Sequence, residues 1–166
     1  MNEKVSEQDG ALRALLEAYK TDPGVKAANG YMQVEITRGN VVETHKATSF
    51  FMGAREGFAL VQAYIGDDPE NQKEIQLLST LKLEAGERYQ ISDDVPPTVM
   101  AFYIVHKGGS QEQSAGNGIL KVEKFLVDPS KPHIKGTLEF MCRETPFSEI
   151  WMKVVAKDFW VEGDLS

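Results

Sequence analysis

Three histidines, His45, His106 and His133, and a lone cysteine, Cys142, are the side chains of this sequence best suited to binding a soft metal, moving a proton or attacking as a nucleophile. None of them falls at the Cys-x-x-Cys or His-x-x-x-His spacing that puts two ligands on one local element, so no metal site is assigned. Cys142 sits in Phe140-Met141-Cys142-Arg143, where strand alternation places it on the same face as Phe140. That is the setting of a buried, inert thiol, because a reactive thiolate needs a base beside it. Histidine titrates near neutrality, so His106 or His133, oriented by Asp93 or Asp94, would make a histidine-dependent hydrolase. This is the third of three functional readings, and no catalytic residue is assigned.

Asp67-Asp68-Pro69-Glu70 and Asp93-Asp94 are dense in carboxylates, the oxygen ligands a hard cation takes. Their spacing differs from the alternating Asp-x-Asp-x-Asp-Gly loop, and solvated turns explain them better. The glycines between 108 and 118 have no Gly-Lys-Ser/Thr after them, so they build no phosphate loop. Aromatic pairs are more informative. Phe50-Phe51, Phe102-Tyr103 and Phe159-Trp160 each send one ring to the face opposite the core if their strands are regular. Phe51, Tyr103, Trp151 and Trp160 are therefore the candidate residues for a ligand or partner; packing under a helix or at an oligomer interface is the competing explanation.

The elements that must position these residues are mostly strands. Ser6 and Asp9 resemble a capping box, and Leu12, Leu15, Leu16 and Tyr19 follow at helical spacing. A short amphipathic helix within residues 6–20 is expected, ended by Thr21-Asp22-Pro23-Gly24. From Tyr31 the period becomes two: Met32, Val34 and Ile36 alternate with Gln33, Glu35 and Thr37. Arg38-Gly39-Asn40 turns this strand into Val41-Val42 and the stretch 44–51. Further strands are expected over 58–65, 74–83, 88–91, 98–106, 119–127, 134–143 and 149–161, the last long enough to bend or divide near Lys157-Asp158. The polar stretch 108–118 is expected to be a mobile hairpin loop. Turns this closely spaced leave no room for crossover helices. The expected fold is mainly β, an antiparallel sandwich or barrel of about 8–10 strands over residues 31–162, with one short N-terminal helix, in a single domain over residues 1–166.

At 166 residues and 42% hydrophobic content the chain can build a core without disulfides. Its formal charge of −7 opposes binding to phosphate backbones and anionic lipid, so nucleic acid is not an expected partner. No run reaches the roughly 18 apolar residues of a membrane span, and the start lacks a secretory pattern. A soluble cytoplasmic protein is expected.

Three runs in the C-terminal third are Gly118-Ile119-Leu120-Lys121-Val122-Glu123-Lys124, Ile134-Lys135-Gly136-Thr137-Leu138-Glu139-Phe140 and Lys157-Asp158-Phe159-Trp160-Val161. In that order they resemble small bacterial all-β domains of unknown function, many of them in secreted or lipid-anchored proteins. The resemblance implies a β meander and brings no catalytic residue or cofactor. The present sequence has no lipid-attachment cysteine near its start.

The leading expectation is a non-catalytic protein–protein interaction module, an adaptor or neutralising subunit, suggested by acidity, outward aromatics and no catalytic constellation. The alternative is a β-barrel carrier of a small apolar ligand with the helix over one mouth. A homo-oligomer is compatible with both, and no cofactor is expected.

Overall fold

The computed structural model describes residues 25–93, 98–128 and 131–163; the expected helix within 6–20 lies outside the described residues. The described chain is mainly β. Its strands are β1 (Lys26–Tyr31), β2 (Gln33–Arg38), β3 (Val41–Lys46), β4 (Ser49–Arg55), β5 (Phe58–Ile65) and β6 (Asn71–Ser79), then β7 (Arg88–Ile91), β8 (Val99–Lys107), β9 (Ser110–Ala115), β10 (Asn117–Leu126), β11 (His133–Arg143) and β12 (Trp151–Gly163).

All twelve belong to one mixed sheet that closes on itself. The circuit runs β1-β4-β5-β6-β8-β7-β10-β11-β12, and β12 returns to β1 from Ala28↔Gly163 to Tyr31↔Trp160. The β2–β3 ribbon hangs from β12, and β9 hangs from β8. This corrects the expected antiparallel sandwich or barrel: the sheet is ring-like without being a barrel, and it is not wholly antiparallel. At the seam, β7 meets β8 in parallel through the single pair Ile91↔Val99. A connection as short as residues 92–98 cannot carry a crossover, so the parallel contact ends after one pair.

Local chemistry explains most elements. In β2, Val34 and Ile36 are fully buried, and Gly39 (φ 58°) takes the first central position of a two-residue turn to β3, the place a II′ turn reserves for glycine. The expected run 44–51 divides at Ala47-Thr48: the Ala47 amide still bonds to the Met32 carbonyl, the next step of the β2–β3 register, whereas the Thr48 amide bonds to the Tyr64 carbonyl on β5. β12 does bend: Asp158 has φ 51°, and the β11–β12 register shifts between Gly136 and Leu138. Two strands went unexpected. The stretch 108–118 contains β9, which follows a tight turn through Gly108 (φ 58°) and Gly109 (φ 83°) and pairs with β8 from Lys107↔Ser110 to Phe102↔Ala115. Its side chains are polar because most of them face solvent at a sheet edge. β1 lacks an apolar face of its own and is held by backbone pairing to β4 and β12 on either side.

A large apolar cluster fills the inside of the ring, with Ile36, Met52, Ile75, Leu77, Tyr103, Leu138, Phe140, Val154 and Phe159 among its most buried members. β5, β6 and β8 are buried on both faces over much of their length, which is why β5 and β8 read as near-continuous apolar runs, whereas β6 interleaves Ile75, Leu77 and Leu78 with the buried polar Glu74, Gln76 and Ser79. On their outer face lies a second cluster, Phe58, Leu60, Leu78, Met100, Phe102 and Ile104.

Candidate functional site

The register of β5, β6 and β8 lines up a polar row beside that second cluster. Tyr64, Glu74 and Ile104 face outward at one level, and Gln62, Gln76 and Phe102 at the next. Glu74 is 1% exposed, a position that a carboxylate holds only when its oxygens are bonded. One oxygen lies 2.9 Å from His106 Nε2, and the other accepts from Gln62 Nε2 at 3.2 Å. Gln62 also reaches the Tyr64 hydroxyl at 3.4 Å. Burial, reinforced by the charge and hydrogen bonding of Glu74, holds the Tyr64 hydroxyl protonated well above its ordinary range. Gln76, with no exposed surface, has neither amide atom paired.

A carboxylate bonded to imidazole is the arrangement that orients a general base, since a ring protonated at Nε2 donates to Glu74 and leaves Nδ1 free to accept. The only hydroxyl in the row, that of Tyr64, is held neutral. The row therefore offers hydrogen-bonding groups without an activated nucleophile. It is closed from solvent at Glu74 and Gln76 and opens at its edge, where the Tyr64 ring lies 6.0 Å from His106 and 5.8 Å, edge-on, from Phe51.

Inside the ring, at the end where β2 and β11 finish, Arg38 meets Glu43 at 2.9 Å and Glu144 at 3.5 Å. The second contact is an ion pair too poorly aligned to satisfy the buried Nε as a hydrogen bond. Tyr103 and its register partner Ser114 each bury an unpaired hydroxyl nearby. Burial pushes the Tyr103 hydroxyl up to about 12, against the lowering influence of Arg38. The Cys142 thiol is likewise pushed up to about 12 by burial, which makes it the inert thiol the alternation suggests. On the exposed side, hydrogen bonding from His45 and then from Arg38 lowers the Glu43 carboxyl.

The same end carries the most exposed apolar side chains. Phe147 (90%) and Ile150 sit in the β11–β12 connection, with Trp151 starting β12 and Met141 close to the end of β11. The connection is shaped by bonds from Glu144 N to the Ile150 carbonyl and from Arg143 to the Ser148 carbonyl, and the Arg143 guanidinium lies 5.3 Å over the Trp151 ring. Val41 and Val42 open β3 alongside: Arg38 pairs with Val41, and the Arg38–Glu144 contact ties this turn to the connection. Across the outer face, Met141, Lys153, Thr37 and Val42 stand in one row.

The four residues expected to bind a ligand or partner are not brought together. Phe51 faces outward on β4 at the edge of the polar row. Trp151 and Trp160 both lie on β12, nine residues and so roughly 30 Å apart along the strand. Trp160 is half-buried opposite Tyr31. Tyr103 points into the ring at 1% exposure; it is Phe102 that takes the outer face, where it is buried too. Of the histidines, His106 is joined to Glu74 on the neighbouring strand, a partner 32 residues away in sequence that no local motif marks. Asp93 is exposed, and Asp94 lies outside the described residues. His133 is held below its ordinary range by burial and by Lys124. Asp67 and Asp68 lie in an exposed turn in which Asp68 accepts from the Glu70 amide at 3.0 Å. Among the described residues no three His, Cys, Asp or Glu side chains converge as a metal site, and no helix is long and apolar enough to cross a membrane. A shallow cleft of about 480 Å³ lies over β7 and β10 between Arg88, Gln90, Asn117 and Ile119, on the outside of the ring. A carrier of apolar ligands would need space inside, where the core cluster sits.

No protein-family model matches the chain, and no curated protein or solved structure does so.

Proposed function

We propose that the protein is a non-catalytic interaction module that engages a protein partner through the end of the ring formed by the β2–β3 turn and the β11–β12 connection. The observation that carries this reading is that Met141, Phe147, Ile150 and Trp151, each about half exposed or more, all lie on β11, β12 and their connection, with the exposed Val41 and Val42 at the start of β3 at the same end. Large apolar side chains gathered at one place on a surface are the usual core of an interface, and Trp is among the residues that contribute most when an interface closes over them. Arg143, stacked on Trp151, and Glu144, paired to Arg38, supply the polar rim such a core requires. The Glu74–His106 row supports an enzymatic reading less well, because it lacks a nucleophile and its carboxylate is sealed from solvent.

The test is gentle purification of the chain from its own source followed by native mass spectrometry, in parallel with a Phe147→Asp, Trp151→Ala double variant. A protein retained by the parent chain and lost from the variant, with the variant's unfolding midpoint unchanged, is the expected outcome. A parent chain recovered bare, or a partner retained equally by both, removes the proposal.

A further inference from the structure

The outer face of β5, β6 and β8 is the other apolar surface of the molecule, and it is buried. Leu60, Leu78 and Ile104 have no exposed area, Met100 has 1%, and Glu74 and Gln76 between them have 1% and none. Side chains on the outer face of a sheet reach such values only beneath another layer. Among the described residues the one apolar side chain packed there is Val25, the first described residue. Lys26 after it pairs with Met52 on β4, and β4 pairs with β5, so the chain enters the fold at the border of this face.

We infer that the segment 1–24 is the layer that covers the outer face of β5, β6 and β8, with Leu12, Leu15, Leu16 and Tyr19 set against Phe58, Leu60, Leu78, Met100, Phe102 and Ile104. The dimensions fit. A helix over residues 7–19, as the sequence pattern predicts, would extend about 20 Å, comparable to the buried part of these strands, and three adjacent strands are roughly 10 Å wide between outer axes. Residues 20–24 span up to about 17 Å when extended, enough to connect such a helix to Val25. The segment presents one apolar stripe to a surface with one apolar strip; Glu7, Arg13 and Glu17 fall on the opposite side, with Asp9 and Lys20 at the border of the stripe. The cover would also shut the Glu74–His106 row from water along its closed side, leaving the Tyr64–Phe51 edge as its open margin.

Two thiols in one full-length chain test this. Met100→Cys places a thiol under the proposed cover, while the native Cys142 lies in the main core and reports global opening. In the full chain both should label slowly with a thiol reagent at pH 8. Adding Leu15→Asp and Leu16→Asp should speed labelling at position 100 by roughly 100-fold or more, as a closed region becomes continuously open, and leave Cys142 slow. Fast labelling at position 100 in the full chain, or slow labelling that the two aspartates do not change, overturns the inference. Slow labelling that is lost on dilution from dimer to monomer overturns it in favour of a second copy as the cover. If both thiols become fast the chain has unfolded, and Leu16→Ala decides with the same readout: a gain confined to position 100 upholds the cover, and no such gain overturns it.

Discussion

Replacing Glu74 by leucine keeps its volume and removes the acceptor for three neighbours. His106 Nε2, Gln62 Nε2 and the Tyr64 hydroxyl would each lose a partner in a place where Glu74 itself is 1% exposed. A buried donor left unpaired costs about 1–3 kcal/mol, and His106, whose side chain is 20% exposed, recovers part of its loss from water. The expected cost of Glu74→Leu is about 3 kcal/mol, a fall of roughly 6–12 °C in Tm for a chain of this length. His106→Leu leaves the carboxylate with Gln62 and Tyr64 and should cost about 2 kcal/mol. The double variant, which removes charge and donor together, should be less destabilised than the two losses added, with a coupling of about 1–2 kcal/mol. Urea unfolding of the four proteins, followed by tryptophan fluorescence, measures the cycle. Losses that add within about 0.5 kcal/mol would refute the claim that Glu74 and His106 act as one buried unit.

Gly136→Ala should strongly destabilise the chain, because a β-carbon there would run into the Lys121 carbonyl oxygen across the β10–β11 ladder; thermal unfolding measures the loss, and a Tm within a degree or two of the parent would contradict it. Phe140→Ala, at a fully buried core position, should cost about 3–5 kcal/mol in urea unfolding. Cys142 and Tyr103 stay protonated in the fold to about pH 12, while in the unfolded chain they ionise near their ordinary values of 9.0 and 10.0. The unfolded state therefore holds fewer protons above those values, so stability falls as pH rises through 9–12, by about 1.4 kcal/mol per pH unit for each fully titrating group. Cys142→Ala should flatten the fall between pH 9 and 10, where the thiol titrates before the phenol, and an unchanged slope in urea midpoints across that interval would count against the assignment. Trp151→Ala should change stability by no more than about 0.5 kcal/mol, since the ring is half exposed, while weakening capture of the partner.

Much of the sheet was legible in the sequence because each strand carries its own pattern. Val34 and Ile36, the Gly39 turn, the run from Phe58 to Ile65 and the bend at Asp158 all express constraints acting within a few residues. The runs 118–124, 134–140 and 157–161 lie on β10, β11 and β12. β1 and β9 were missed for one reason. β9 is polar and mostly exposed, β1 mixes small, polar and aromatic residues with no apolar alternation, and only neighbouring strands give either of them a ladder to join. The site was less legible still: alternation shows that Phe102 and Tyr103 face opposite ways, yet cannot say which way is in, and it put Tyr103 on the wrong side.

What the sequence determined by itself was the secondary-structure class, most strand positions, the buried thiol and a set of aromatics able to face outward, because propensity, alternation and turn chemistry are local. Only the tertiary structure decided that the sheet closes through β1 and β12, that β5, β6 and β8 are covered on both faces, that His106 finds Glu74 rather than Asp93, and that Trp151 joins Met141, Phe147 and Ile150 at one end. Each of these depends on which strands become neighbours and on register between residues far apart in the chain. One residue of slip would reverse every face, and that choice is made by the packing of the whole core.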